Sequence, residues 1–320
     1  MKFYFAPLEG VTGYIYRNAH AKYFEGIDKY FMPFIATNQH GRMSPREKRD
    51  VLAENNQGIK VIPQILTNNA KDCMCTIKQL HALGYEEINL NFGCPSGTVV
   101  AKGKGSGFLA EKEALDRFLD ELFNQAITKI SVKTRIGRDE PEEFYELIKI
   151  FNKYPMEELI IHPRVQKDYY KNKPNLEIFK EGLTLSTNPV CYNGDIFTLE
   201  DYKKFKEAFP EVETLMLGRG LITNPGLVEA ITQDKHLDKE VLKAFHDKLC
   251  IDYEEMLSGD RNVLFKMKEV WFYMSQLFSN YEKYAKKIRK SERFSDYRNA
   301  VQRLFSEQEI REGAGFVTSL

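Results

Sequence analysis

The sequence has no excess of charge of either sign, because its 320 residues include 46 basic and 46 acidic side chains and the formal net charge at pH 7 is zero. This balance disfavours a protein that coats nucleic acid, since such proteins are strongly basic. Long apolar runs are also missing, because nowhere do about 18 apolar residues follow one another, the length that a membrane-spanning helix needs. The sequence therefore predicts a protein with no place in a membrane.

Cysteine is scarce too, with five residues and no Cys-x-x-Cys pair. This spacing supports neither a disulfide framework nor a zinc site, and we expect no bound metal. Near the start of the chain, Glu9 and Gly10 interrupt the apolar stretch before it could form the core of a secretory signal. We therefore expect a protein of the cytoplasm.

Short β-rich segments recur along the first 220 residues, each followed by a turn and a helical pattern. The eight segments are KFYFAPL from Lys2, KYFMPFI from Lys29, KVIPQIL from Lys60, EINLNFG from Glu87, KISVKTR from Lys129, ELIIHPR from Glu158, NPVCYNG from Asn188 and TLMLGRG from Thr214. This alternation predicts a parallel sheet, and eight units predict a TIM (β/α)8 barrel over residues 1–234. An open doubly wound sheet is the alternative, but its G-x-G-x-x-G signature is replaced by PLEGVTG in the first turn.

Strand patterns stop after Asp234, and the remaining segments carry apolar residues at helical spacing. We therefore predict a C-terminal all-helical domain over residues 235–320. Trp271, Phe272 and Phe278 could form a ligand surface, but their spacing is more typical of helix-bundle core. The segment from Lys283 to Arg303 contains eight basic and two acidic residues, which makes it a local positive patch.

Polar side chains follow most of the predicted strands, at the end of a barrel where active sites lie. They are Glu9, Asn38, Gln64, Asn91 with Cys94, Lys133 with Arg135, His162 with Arg164, Asn193 with Asp195, and Arg219. Burying such a ring is costly without a polar ligand, so it predicts a binding site. The last two corners, NGD and GRG, combine glycine-flanked amides with a cation and predict a phosphate site.

Seven motifs together resemble the signature set of the tRNA-dihydrouridine synthases, in the order of that family. They are APLEGVTG, PQIL, INLNFGCPSG, VKTRIG, IHPRVQKDYY, CYNGDI and LGRGLITNP, and they span Phe3 to Pro225. The resemblance implies an NAD(P)H-dependent flavoenzyme that holds FMN and reduces the C5–C6 bond of uridine in tRNA, with NADPH as the electron donor. It also suggests that the sequence departs from the family at PLEGVTG and at Gln166, positions where other residues are common.

The resemblance also implies site residues. FMN would contact Pro7, Leu8, Glu9, Gln64, Lys133 and His162, and its phosphate would contact Asn193, Gly194, Asp195, Gly218 and Arg219. The uracil would face Asn91, Arg164 and Tyr170.

Cys94 is the candidate catalytic residue. Reduction of uracil needs a hydride at C6, which reduced FMN would deliver, and a proton at C5, which Cys94 would supply. A thiol with an ordinary pKa near 8.5 is mostly protonated at pH 7 and suits this task. Pro95 restricts Cys94 to extended backbone angles and so aims its side chain. A small buried hydrophobe at a strand end is the competing interpretation.

The positive patch predicts the partner. Folded tRNA presents phosphates well beyond a barrel mouth, so we expect Lys286, Lys287, Arg289 and Lys290 to contact it. Tyr284 and Tyr297 could stack on a base or pack inside the helical domain, and no protein partner is predicted.

Three other functions stay open from the sequence. One is an FMN-dependent barrel reductase of a small molecule, similar to the dihydroorotate dehydrogenases, which would have little use for a basic helical domain. The others are a Schiff-base barrel that uses Lys133 and a catalytically silent RNA-binding relative.

Overall fold

The computed structural model of the protein describes residues 1–38 and 41–317, and all eight predicted β-rich segments contain strands. The strands are β1 (Lys2–Phe5), β2 (Lys29–Phe31), β3 (Ile35–Ala36), β4 (Val61–Ile62), β5 (Gln64–Leu66), β6 (Glu87–Phe92), β7 (Lys129–Gly137), β8 (Leu159–Val165), β9 (Val190–Tyr192) and β10 (Thr214–Leu217). Two of the predicted segments are each split into two strands, β2 with β3 and β4 with β5. Pro33 and Pro63 lie in the two gaps, where proline has no N–H to donate to a ladder.

The strands form one sheet in the order β3-β5-β6-β7-β8-β9-β10-β1-β2-β4. Strands β2 and β4, β3 and β5, and each successive pair from β5 to β10 run parallel. The two ends of this order, β3 and β4, belong to two chain segments that pair with each other twice, β2 with β4 and β3 with β5. The fold is therefore α/β with a parallel sheet, as the alternation of the sequence predicts.

Helices follow most strands and make up the C-terminal part of the described chain. The α-helices are α1 (Tyr14–Tyr23), α2 (Pro45–Val51), α3 (Ala70–Ala82), α4 (Gly97–Val100), α5 (Lys112–Phe123), α6 (Phe144–Phe151), α7 (Leu176–Leu185), α8 (Leu199–Ala208), α9 (Arg219–Thr223), α10 (Leu227–Gln233), α11 (Lys239–Met256), α12 (Asp260–Met274), α13 (Glu282–Lys290) and α14 (Phe294–Glu307). Short 3₁₀ helices cover Ala53–Asn55, Gly105–Ala110, Pro141–Glu143, Gln166–Asp168 and Ser275–Leu277. Among the residues described, no helix combines the length and the apolar character needed to cross a membrane.

The chain divides into two compact units. The first comprises Met1–Tyr4, Lys29–Asp195 and Glu211–Met216, and the second comprises Phe5–Asp28, Ile196–Pro210 and the chain from Leu217 onward. No strand follows Leu217 within the described residues, in agreement with the helical patterns seen there in the sequence. The predicted boundary between residues 234 and 235 stays a prediction.

Alternation along β6 separates the helix-covered face of the sheet from its inner face. Phe92 packs edge-on against Phe108 and Phe118, at ring distances of 5.8 and 6.0 Å. Asn89 and Asn91 are an odd number of residues from Phe92 and therefore point to the opposite face. This pleat delivers amide side chains, and not apolar ones, to the inner face of the sheet.

A buried acidic group lies beside the start of β8. Tyr4 Oη donates to Glu158 Oε1 at 3.3 Å, while Glu158 Oε2 has no hydrogen-bond partner. Lys29 Nζ donates to both carboxylate oxygens of Glu87, at 3.0 and 2.8 Å. Burial raises the pKa of Glu158 to about 7, Glu87 acts in the same direction, and Lys29 and Tyr4 oppose it. Glu158 thus holds a proton at a pH where the unfolded chain releases it.

Glu158 gives the fold a pH dependence with a defined sign. Between about pH 4.5 and pH 7 the folded state binds more protons than the unfolded state, so stability falls as pH rises through this window, by up to about 3 kcal/mol. Glu158→Gln removes the titration and should flatten the urea midpoint measured from pH 5 to pH 8. Glu86→Gln changes an exposed carboxylate and is the matched control. A wild-type slope retained in Glu158→Gln contradicts this account.

Candidate active site

A chain of hydrogen-bonded side chains crosses three strands on the inner face of the sheet. Asn89 Nδ2 donates to Ser131 Oγ at 3.0 Å, Gln64 Nε2 donates to Asn89 Oδ1 at 2.8 Å, and Asn91 Nδ2 donates to Gln64 Oε1 at 2.7 Å. Gln64, Asn89 and Ser131 are fully buried. Because unpaired buried amides are costly, this chain fixes the side-chain orientation of every member.

Asn91 connects this row of hydrogen-bonded side chains to the loop that holds Cys94. Its Oδ1 accepts from the backbone N–H of Gly93 at 3.1 Å and of Cys94 at 2.9 Å. The carbonyl of Cys94 accepts from Ser106 twice, from its N–H at 3.1 Å and its Oγ at 2.9 Å. Gly105 makes this approach possible, since its φ is +56° and a Cβ there would lie 2.7 Å from the Cys94 oxygen. The half-buried Cys94 is therefore held on both sides of its peptide unit.

Lys133 stands beside Asn91, its partner in the β6–β7 register. Its side chain makes no hydrogen bond or ion pair with any residue that the structure describes. Burial, with a contribution from the charge of Arg135, lowers the pKa of Lys133 to about 8. A half-buried ammonium group with no protein partner is suited to an electronegative ligand atom, and the neighbouring amides of Gln64 and Asn89 suit a polar ring. The residues present thus fit the isoalloxazine of FMN, the cofactor that the family resemblance implies.

Arg135 joins two loops from inside the protein. It is fully buried, and its guanidinium donates to the carbonyls of Gly93 at 3.0 Å, Val165 at 2.8 Å and Tyr169 at 2.8 Å. The Tyr170 ring lies 5.5 Å from its guanidinium carbon. Tyr169 has a φ of +50°, which a non-glycine residue adopts at a cost, and the bond from Arg135 helps to hold it there. Arg135 therefore fixes the Cys94 loop relative to the loop after β8.

Arg164 is occupied by partners within the protein. Its side chain is 1% exposed and forms a two-pronged ion pair with the carboxylate of Asp195. Its Nη1 also donates to His162 Nε2 at 2.9 Å, and its Nε to the Asn172 carbonyl at 2.6 Å. Since a guanidinium only donates, His162 Nε2 must accept here and carries no proton.

The predicted contacts with uracil differ in their exposure. Asn91 and Arg164 are buried and bonded to protein groups, whereas Tyr170 is 49% exposed and lies 6.0 Å from the His162 ring. The contact of these side chains with uracil stays a prediction. The structure adds a positioning role for Asn91 and an ion pair for Arg164 that sequence patterns did not indicate.

The first predicted phosphate corner follows β9. Asn193 Nδ2 donates to the Met216 carbonyl at 2.8 Å, and the Asn193 N–H donates to Ile161 at 2.9 Å. A Cβ at Gly194 would overlap the Tyr192 hydroxyl, so any larger residue there would require the Tyr192 ring to move. Asn193 therefore ties down the end of the sheet, and its predicted contact with phosphate stays a prediction.

The remaining predicted cofactor residues belong to the second unit. Pro7 and Leu8 are half-buried and Glu9 is exposed, and the turn after Leu8 is closed by hydrogen bonds between Leu8 and Thr12 at 2.8 and 3.2 Å. Thr12 in turn accepts a bond from buried Arg17 at 2.9 Å through its carbonyl.

Gly218 and Arg219 form the second predicted phosphate corner, at the start of α9. The Arg219 guanidinium lies 5.0 Å from each of the Phe197 and Phe316 rings. A Cβ on Gly218 would be 3.4 Å from Leu8, which is an ordinary contact, so packing alone does not require glycine there. Both rings thus lie within the distance of a cation–π interaction with Arg219.

The basic patch is exposed on α13. Tyr284 and Ile288 are buried on one side of this helix. The four predicted tRNA contacts are exposed and have no ion pair with a described residue; they are Lys286, Lys287, Arg289 and Lys290. Tyr284 and Tyr297 are buried, so of their two proposed uses packing is confirmed and base stacking is wrong.

The sequence patterns assigned no role to Arg135, Gly105 or Asn89. Arg135 and Lys133 are two apart on one strand, which places them on one face, and this spacing could have indicated a shared site. The glycines of AKGKGSGF could likewise have indicated the close approach of Gly105 to Cys94. The partners of Asn89 lie 25 and 42 residues away and left no local pattern.

Arg135→Lys tests the clamp between the two loops. One ammonium group cannot reach three divergent carbonyls, so at least one is left unpaired, at about 1–3 kcal/mol. We expect lower thermal stability and faster amide hydrogen exchange in residues 93–97 and 165–170. Arg138→Lys changes an exposed arginine of the same loop region and should leave both unchanged. Exchange in Arg135→Lys equal to wild type contradicts the clamp.

Comparison with known proteins identifies relatives across most of the chain. The dihydrouridine synthase family model matches residues 4–314. The tRNA-dihydrouridine(16) synthase of Pseudomonas putida is 30% identical over 236 residues, which cover 71% of this chain and 72% of that protein. The tRNA-dihydrouridine synthase B of Pasteurella multocida is 24% identical and covers 78% and 74% respectively.

A solved structure shares the fold at low sequence identity. A morphinone reductase mutant in complex with tetrahydroNAD has a TM-score of 0.53 and 12% identity, covering 75% of this chain and 89% of that one. At this identity the likeness concerns architecture alone. The family match extends over nearly the whole chain, and the chain belongs to the dihydrouridine synthase family.

Proposed function

We propose that this protein reduces uridine in tRNA to 5,6-dihydrouridine, with FMN as cofactor, NADPH as electron donor and Cys94 as proton donor. The family match over residues 4–314 carries the assignment of the reaction. Relatives that cover 71–78% of the chain are named for the same reaction on tRNA.

Residues on the inner face of the sheet support a flavin. Lys133 has no hydrogen-bond or ion-pair partner among the described residues, and Gln64 and Asn89 offer fixed amides on the same face of the sheet. The chemistry that FMN supplies when bound is hydride transfer to C6 of uracil. Lys133 would hold an electronegative edge of the flavin, and the orientation of the Gln64 amide would be set by its bonds to Asn89 and Asn91. Contacts from Pro7, Leu8, Glu9, His162 and the two phosphate corners stay predictions.

Cys94 supports the proton step. Its backbone N–H and carbonyl are bonded to Asn91 and Ser106, which fixes the direction of its Cα–Cβ bond. Arg135 donates to the carbonyl of Gly93, the residue before Cys94, at 3.0 Å, and Lys133 is the register partner of Asn91. A thiol held in this way would donate its proton to C5 of the uracil and regain one from solvent after turnover.

The architecture in this proposal is a closed TIM barrel over residues 1–234 followed by a tRNA-binding helical domain over residues 235–320. The sheet order supports closure, since both of its ends come from one pair of adjacent segments. NADPH as the electron donor stays a prediction of the family resemblance. Cytoplasmic location and action without a protein partner stay predictions of the sequence.

Cys94→Ala tests the proton donor. The variant should bind FMN and accept electrons from NADPH at the wild-type rate, while uridine reduction on tRNA falls by about 10²–10⁴-fold, the range for loss of a general acid. Stopped-flow absorbance separates the two half-reactions. Cys75→Ala, which removes another half-buried thiol, serves as the control. Full turnover by Cys94→Ala would make the residue structural, and a wild-type protein inactive on tRNA would refute the proposed function.

Lys133 gives FMN binding a pH dependence. A bound anionic or electronegative group favours the protonated amine, so FMN affinity should fall as pH rises through about 8, where free Lys133 loses its proton. FMN binding to the apoprotein is followed by fluorescence between about pH 7 and pH 9.5, above the titration of the phosphate near 6. Lys133→Gln should bind weakly at every pH, and Lys133→Arg should keep affinity without the decline. An identical decline in both variants would exclude Lys133 as its cause.

A further inference from the structure

Two exposed phenylalanines mark one face of α12. Phe265 is 62% exposed and Phe272 is 60% exposed. They are seven residues apart, with Lys268 between them, so the three side chains lie along one stripe about 10 Å long. The opposite face of the helix buries Met267, Trp271 and other apolar residues. The core interpretation of Phe272 from its sequence spacing is therefore wrong, although it is correct for Trp271 and Phe278.

Two adjoining pockets follow this stripe and share Lys268 in their walls. One, of about 410 Å³, is lined by Phe272 together with Lys286 and Arg289 of α13. The other, of about 620 Å³, is lined by Phe265 and Arg261. We call the two together the α12–α13 groove. Both volumes lie in the usual range of ligand sites, about 300–1,000 Å³.

The groove is lined by more basic than acidic side chains. Arg261, Lys268, Lys286 and Arg289 line it, against the two acids Glu282 and Glu292. Lys286 and Arg289 form no ion pair with any described residue. The groove thus offers positive charge that the protein itself does not neutralise.

Aromatic faces between cations match the chemistry of unpaired nucleotides. Single-stranded nucleic acid is bound by stacking of bases on aromatic rings while cations hold the phosphates. The buried centre of a protein–protein interface, by contrast, is depleted in lysine. We propose that the α12–α13 groove binds unpaired nucleotides of the tRNA substrate, with bases stacked on Phe265 and Phe272 and phosphates on Lys268, Lys286 and Arg289. This inference rests on the proposed function, because it takes tRNA as the substrate.

Measuring tRNA affinity at several salt concentrations separates the contribution of base stacking from that of phosphate contacts. Phe265→Ala with Phe272→Ala should weaken tRNA binding at least about ten-fold, with the slope of log K against log salt unchanged. Lys286→Ala and Arg289→Ala should each lower that slope by up to about one unit. Since the groove touches no reacting atom, the double phenylalanine variant should raise KM for tRNA and leave kcat unchanged.

Matched variants exclude a general apolar or folding effect. Phe→Trp at both positions should keep the affinity, whereas Phe→Leu should behave as Phe→Ala because it keeps apolar area without an aromatic face. Ile251→Ala, an equally exposed apolar residue on α11, should change nothing. Unchanged melting temperatures show that each variant is folded.

Three outcomes would contradict the proposal that the α12–α13 groove binds nucleotides. They are wild-type affinity in the double alanine variant, full affinity in the leucine variant, or a wild-type dimer that the double variant converts to a monomer, which would make the groove a protein interface. These results leave uridine reduction by the wild type intact. A wild type that neither binds nor reduces tRNA would instead refute the proposed function.

Discussion

The candidate site depends on the requirement that buried amides be paired. Gln64 and Asn89 lie on the inner face of the sheet with no access to water, and each makes its bonds to the other members of one chain. Asn91 is the outer member, and its oxygen is used by the loop of Cys94. The position of the thiol is thus set by the interior of the sheet, which is rigid, and not by the loop alone. Ser131 is linked to the loop of Cys94 through Asn89, Gln64 and Asn91, so a change at Ser131 would alter the position of that loop.

Three neighbouring cations at this site differ in the partners that they have within the protein. Arg164 is matched by the carboxylate of Asp195, and Arg135 is spread over three backbone carbonyls. Lys133 has neither kind of partner within the described chain, and burial lowers its pKa to about 8. Because a half-buried ammonium group is costly, this asymmetry is the feature of the apoprotein that indicates a ligand. The same difference separates Lys133, which is available to a ligand, from Arg135 and Arg164, whose hydrogen bonds are made within the protein. The residue types alone do not separate the three.

In helices α11 to α14, packing decides which side chains face water. Tyr284, Trp271 and Tyr297 fill the interior, and the Trp271 indole and the His246 ring both bond to the Tyr297 hydroxyl, at 2.8 and 2.6 Å. Phe265 and Phe272 are left outside, next to cations without acidic partners. Adjacent residues such as Trp271 and Phe272 lie about 100° apart around a helix, so both could not face the same core. This argument was available from the sequence, but which of the two is buried was not.

The sequence by itself determined the order and type of the elements, because those follow from local spacing and from proline, glycine and capping residues. Eight β-rich segments became strands, and Thr198 with Asp201 forms a capping box at the start of α8. Family motifs likewise located Cys94, Lys133 and Arg164 without any coordinates. Only the tertiary structure decided the partners, such as Arg164 with Asp195 across 31 residues and Arg135 with Gly93 across 42. Such pairs depend on strand register and on competition among buried polar groups, and neither leaves a periodic signal along the chain.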